Sequence, residues 1–322
     1  MSNQWINLAS ARLGATAVSA SDDFFADKAR MLDDAEPVFV PGKYDDNGKW
    51  MDGWESRRKR VPGHDWCVVK LARAGTIAEI EIDTRHFTGN YAPAASIEAC
   101  LSDDDDPDAD AGWREIVPVT ALAGDDRRRI AVADENAFSH VRLNIFPDGG
   151  VARLRVYGRP VPSQVGDATI DLAAGLNGGV ALACNDAHFG AMGNLLLPGR
   201  GRDMGDGWET RRRREPGFDW VIVQLGRPGA IERIEIDTAH FKGNYPDRAS
   251  VQAALVPRPD PVSIAANSLN WPTVLGEQHL GADANHVFDT LADPGVVNCV
   301  RLNIFPDGGV SRLRVFGRAA KG

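Results

Sequence analysis

Val141 to Gly158 reads VRLNIFPDGGVARLRVYG, and Val300 to Gly317 repeats it as VRLNIFPDGGVSRLRVFG. The copies differ at two places, Ala152 against Ser311 and Tyr157 against Phe316. Within the stretch Val141, Leu143 and Ile145 alternate with Arg142, Asn144 and Phe146, and a second alternation runs from Val151 to Val156. This is the period-two pattern of strands with one buried face. Pro147-Asp148-Gly149-Gly150 between them predicts a hairpin turn joining two paired strands, because glycine supplies the positive φ such turns need.

Working outward, Ile80 and Ile82 alternate with Glu79, Glu81 and Asp83, and Ile234 and Ile236 repeat the pattern with Glu235 and Asp237. They predict a half-buried strand in each copy, preceded by a separate strand over Trp66 to Leu71. Long amphipathic helices are missing from the pattern, and short helical turns are expected near Asp27 to Leu32 and Gly190 to Leu196. The expected fold class is all-β: two tandem jelly-roll sandwiches, 1–160 and 165–322, related by internal duplication. Arg159-Pro160-Val161-Pro162-Ser163 reads as the short linker. The first copy carries about ten extra residues around Pro41 to Gly48, and the second about five between Ser250 and Val300.

The chain of 322 residues, 43% hydrophobic and 25% charged, has the composition of a globular protein. A net charge of -9 argues against nucleic acid and anionic membrane surfaces as partners. The start MSNQWINLASARLG has no basic-then-apolar pattern, so the expectation is a cytoplasmic protein acting on a small molecule, with homo-oligomerisation open. Cys67, Cys100, Cys184 and Cys299 fall opposite Val221, Ala254, Ala20 and His140, so no cysteine was duplicated and a disulfide framework is not expected. The acidic run Asp103 to Asp106, with Asp108 and Asp110, reads as a solvated loop, with calcium binding the alternative.

Two further blocks carry chemistry in both copies. Gly53-Trp54-Glu55-Ser56-Arg57-Arg58-Lys59-Arg60 is answered by Gly207-Trp208-Glu209-Thr210-Arg211-Arg212-Arg213-Arg214. Guanidinium groups grip planar carboxylates through paired N–H donors, and a neighbouring glutamate can orient them or move a proton. Asp83-Thr84-Arg85-His86-Phe87-Thr88-Gly89-Asn90-Tyr91 is answered by Asp237-Thr238-Ala239-His240-Phe241-Lys242-Gly243-Asn244-Tyr245. Loops after strands commonly present functional groups, and histidine titrates near neutrality. The catalytic candidates are Glu55, His86 and His64, the last facing Phe218 in the second copy. The binding candidates are Trp54, Arg57, Arg58, Asn90, Arg142, Glu209, Arg211, His240 and Asn244. A structural role is the competing reading for each histidine and for the Arg142 strand. No cofactor is expected and no spacing demands a metal, although His64, Asp65, Asp83 and His86 are a set that folding could gather around a divalent ion.

The blocks GWESRRKR, DTRHFTGNY and RLNIFPDGGVARLRVYG resemble the allantoicase family over nearly the whole chain. The resemblance implies galactose-binding-like jelly rolls and hydrolysis of allantoate to ureidoglycolate and urea, in purine and allantoin degradation. It transfers no catalytic residues. A tandem carbohydrate-binding module of the same fold, and an enzyme on a neighbouring ureido compound, are the alternatives.

Overall fold

The computed structural model describes residues 5–161 and 168–320. The chain divides into two compact units, the first running from Trp5 to Val161 and the second following it. Each unit is a jelly-roll β-sandwich. The expected linker begins later than its prolines suggest: Arg159 and Pro160 close the strand Arg153–Pro160, paired with Thr76 and Gly75, and Val161 donates to the Ala74 carbonyl. Pro162 and Ser163 lie outside the described residues.

One strand organises each unit. Asp65–Asp83 is a single strand of 19 residues where the sequence predicts two, and Asp219–Asp237 is its counterpart. It serves both layers of the sandwich. Its first half lies between Thr16–Ala20 and Ala137–Phe146, and that layer continues through Ala94–Cys100 to Arg114–Ala121. Its second half lies between Arg127–Ala131 and Arg153–Pro160, with Ile6–Asn7 at the edge. The core between the layers contains Val69, Ile80, Ile82, Ile97, Leu143, Leu154 and the indole of Trp54. Two of the three alternating acids of the second half lie out of contact with solvent. Glu81 and Asp83 are fully buried, because Arg129 and Arg155 reach Glu81 and Arg85 and Arg127 reach Asp83. These pairs supply the opposite charge that a buried carboxylate requires.

The predicted hairpin is not one. Ala137–Phe146 and Arg153–Pro160 lie in different layers and pair with opposite halves of the long strand, not with each other. Pro147 to Ala152 therefore crosses from one layer to the other at the end of the sandwich. Gly149 has φ +136, and a Cβ there would lie 2.7 Å from the backbone of Tyr91 and Ala92; one on Gly150 would lie 2.1 Å from the Phe87 ring. Asp-Gly-Gly is thus kept in both copies for close packing as well as for φ. The crossing segment Gly150–Val151 pairs with Trp54–Glu55, so the two repeated blocks meet there.

The helical turns form as 3-10 segments at Lys28–Leu32 and Met192–Leu196. The extra residues of the first copy include a two-stranded ribbon, Tyr44–Asp45 against Gly48–Lys49. The acidic loop docks on its own unit, Asp105 pairing with Lys70 and Asp106 accepting from Ser19 Oγ at 2.7 Å. All four cysteines are free thiols. Among the described residues no helix is long and apolar enough to cross a membrane.

Candidate active site

The meeting of the repeated blocks builds one cleft in each unit. Glu55 sits in its short strand between Gly150 of the crossing segment and Ala26, with which it exchanges two backbone hydrogen bonds. The Trp54 indole beneath it donates to the Asp22 carbonyl at 2.9 Å. Ser56 and Gly149 bind each other, the amide of each donating to the carbonyl or hydroxyl oxygen of the other at 3.2 Å. Asn90 anchors the loop after the long strand, since the Gly150 amide donates to its carbonyl at 2.7 Å. Its side-chain Nδ2 then donates to Glu55 Oε1 at 2.7 Å. The resulting open cleft has a volume of about 510 Å³, with Phe25, Arg58, Lys59, Tyr91, Pro93 and Asp148 completing its walls.

The electrostatics follow from these contacts. Burial pushes the Glu55 carboxyl above its ordinary value, opposed by the Asn90 amide and the positive charge of Lys49. Lys59 is held by Asp65, and its amide donates to Asp148 Oδ2 at 2.8 Å. Arg58 is exposed and forms no hydrogen bond or ion pair among the described residues. The cleft is therefore lined by both an uncommitted guanidinium and a largely buried carboxyl.

The second unit repeats the plan in a cleft of about 400 Å³. Asn244 Nδ2 donates to Glu209 Oε1, the Trp208 indole donates to the Asp186 carbonyl at 2.8 Å, and Arg212 takes the place of Arg58. Asp247 stands where the first cleft has Pro93. The first lining thus sets Arg58 and Lys59 against Glu55 and Asp148, whereas the second sets Arg212 against Glu209, Asp247 and Asp307.

The other candidates lie elsewhere. His86 takes φ 70, its amide donates to Asp125, and its Nε2 is 3.0 Å from the Pro37 carbonyl. His240 repeats this with Asp283 and the Gly201 carbonyl, so both histidines tie down loops and neither is among the residues lining these two clefts. His64 packs against the Phe146 ring with centroids 4.7 Å apart, as Phe218 does against Phe305 at 4.9 Å. Arg57 is committed to Asp22 and Arg211 to Asp186; Arg211 borders a separate groove beside the second cleft. Arg142 pairs with Glu98 and lies over Trp113. The proposed divalent-ion set is dispersed, Asp83 bound by Arg85 and Asp65 by Lys59; among the described residues no three His, Cys, Asp or Glu side chains form a metal site. Phe25 and Asp22 were missed. Both have counterparts at the same spacing, Phe189 and Asp186, which a comparison of Asp22-Asp23-Phe24-Phe25 with Asp186-Ala187-His188-Phe189 shows.

The sequence profile described as the allantoicase repeat matches residues 6–161 and 170–320. The Burkholderia mallei protein named "Probable allantoicase 1" is 58% identical over 99% of this chain and 96% of its own length. The "Probable allantoicase" of Photobacterium profundum is 56% identical over 98% of this chain and 96% of its own. The crystal structure of allantoicase from Saccharomyces cerevisiae superposes with a TM-score of 0.83 at 39% identity, covering 98% of this chain and 93% of the yeast one. Two family repeats coincide with the two sandwiches, each with its own Glu-Asn cleft, and the relatives match nearly end to end: the chain belongs to the allantoicase family.

Proposed function

We propose that this hydrolase converts allantoate and water to ureidoglycolate and urea, and that the first cleft performs the reaction. The observation that supports the assignment of the cleft is the Glu55–Asn90 pair in a cleft that an uncommitted Arg58 also lines. Allantoate bears a carboxylate and two ureido groups on one carbon. Arg58 binds the carboxylate through its parallel N–H donors, and the Asn90 amide fixes the orientation of Glu55. The Glu55 carboxylate accepts the N–H proton of the ureido nitrogen that stays. The freed lone pair forms a C=N bond as the other C–N bond breaks, and Glu55 returns the proton to the departing nitrogen, releasing urea. Water then adds to the imine carbon; Glu55 takes its proton and passes it to the imine nitrogen. One C–N bond is broken, one C–O bond is formed, and Glu55 ends as it began.

A single carboxyl can serve as base and acid in turn when its pKa lies near the working pH, and burial moves Glu55 in that direction. His86 and His64, candidates for these roles from sequence, act in this reading as loop and packing residues. Urea release from purified protein and allantoate tests the activity; no release above the uncatalysed rate rejects it. Full turnover in Glu55→Gln removes Glu55 from the mechanism while leaving the activity standing.

A further inference from the structure

Asp148 recurs as Asp307, and the hairpin that would have explained it does not form, so its recurrence has another cause. Asp148 Oδ2 accepts from the Lys59 amide at 2.8 Å, and Asp307 Oδ2 accepts from the Arg213 amide at 2.8 Å. In each unit this bond joins the crossing segment to the residue directly after the cleft arginine, Arg58 or Arg212. The backbone that carries Asp148 is itself held on both sides. After it, the Gly149 amide donates to Ser56 Oγ and the Gly149 carbonyl accepts from the Ser56 amide, both at 3.2 Å. Before it, the Pro147 carbonyl accepts from the Asp65 amide at 3.0 Å.

Arg58 thus sits in a short stretch whose neighbours are all tied down. The Arg57 amide and Nε donate to the two carboxylate oxygens of Asp22, at 2.9 and 2.7 Å. Lys59 is held at its amide by Asp148 and at its ammonium by Asp65. From Ser56 to Lys59, only the Arg58 side chain forms no hydrogen bond or ion pair among the described residues. An arginine on a loose segment loses backbone as well as side-chain freedom when it grips an anion, and a fixed segment removes the first part of that cost.

We propose that Asp148 is a positioning residue for substrate binding: its carboxylate clamps the Lys59 amide and so holds the backbone that presents the Arg58 guanidinium to the cleft. The inference rests on the reading of Arg58 as the group that binds the substrate carboxylate. Charge alone would give Asp148 the opposite effect, since a carboxylate among the lining residues disfavours an anionic substrate. A role in proton transfer would appear in kcat. Two variants separate these roles. Asp148→Asn keeps an oxygen that accepts from the Lys59 amide and removes the charge, whereas Asp148→Ala removes both.

The test measures initial rates of urea release from allantoate in both variants, in Arg58→Ala and in the Arg58→Ala, Asp148→Ala double variant. Amide hydrogen exchange at Lys59, followed by NMR, reports the clamp without reference to turnover. Asp148→Ala should raise KM about three- to tenfold with kcat within about twofold, and should speed exchange at Lys59. Asp148→Asn should restore the protection and return KM to the wild-type value or below it. In the Arg58→Ala background Asp148→Ala should add nothing to KM, because the group it presents is gone. The ties of Lys59 to Asp65 and of Ser56 to Gly149 remain in Asp148→Ala and keep the segment in place for folding. A kcat loss in Asp148→Asn, which preserves the clamp, overturns the inference in favour of proton transfer. A KM that falls in both variants overturns it in favour of charge, and an equal rise in KM with and without Arg58 overturns it in favour of general packing. An unchanged KM in Arg58→Ala overturns the reading of Arg58 itself, and the inference falls with it.

Discussion

The two clefts share a scaffold and differ in charge. In both, a tryptophan indole reaches back to an aspartate carbonyl, an asparagine amide holds a glutamate, and a hydroxyl side chain meets the glycine of the crossing segment. Lys59 on Asp65 is answered by Arg213 on Asp219. The first cleft, however, has Pro93 where the second has the Asp247 carboxylate, paired at 3.0 Å with Arg248. Duplication preserved the geometry that creates a carboxyl–amide pair. Changes at the walls altered the field without disturbing that geometry, because exposed residues can vary at little cost to stability.

The sharpest way to break the comparison is to neutralise each glutamate. Glu55→Gln should lower kcat about a hundred- to ten-thousand-fold, the range for loss of a proton-transfer group, whereas Glu209→Gln should change it less than about twofold. Equal losses in urea-release assays would make both clefts necessary. Next in size are the arginines. Arg58→Ala should raise KM for allantoate about ten- to a hundredfold through the lost charge-assisted pair, and Arg212→Ala should leave KM within about twofold, both read by initial rates.

A smaller effect is expected on stability. Burial raises the Glu55 pKa in the folded state, so folding favours the protonated carboxyl. That contribution is fully present below the ordinary carboxylate range and is lost as pH rises through the raised value. Glu55→Gln should therefore unfold at a slightly higher temperature than wild type near neutrality, with the advantage vanishing in acid; thermal melts at several pH values check this. The smallest effect is reserved for His64→Phe, which makes the first copy like the second. The ring already packs on Phe146 much as Phe218 packs on Phe305, so turnover should stay within about twofold. A larger loss would restore His64 as a candidate for the chemistry.

The repeated blocks made Glu55, Asn90 and Arg58 legible before folding, because their residue types carry charge or paired hydrogen-bond groups and recur at the same spacing. His86 was equally repeated and equally polar, yet its ring holds the Pro37 carbonyl. Recurrence reports constraint, and a buried hydrogen bond under a loop constrains a histidine as strictly as catalysis does. Asp148-Gly149-Gly150 misled for a related reason. Local turn chemistry predicts a hairpin, but the same glycines permit the close approach of Phe87 and Tyr91 that a crossing between layers demands.

The sequence by itself determined the duplication, the all-β class and the family resemblance, since alternation of apolar residues and recurrence of motifs are properties of the chain. It also determined that the cysteines need no partners across the copies, and they are free. Only tertiary structure decided which polar residues share a cleft. Asn90 reaches Glu55 across 35 positions of chain, and the crossing segment joins them from still farther away, near residue 150. Such contacts depend on how the 19-residue strand distributes its neighbours between two layers. Hydrophobic burial, which fixes that distribution, acts over the whole sandwich and leaves no local mark on the residues it brings together.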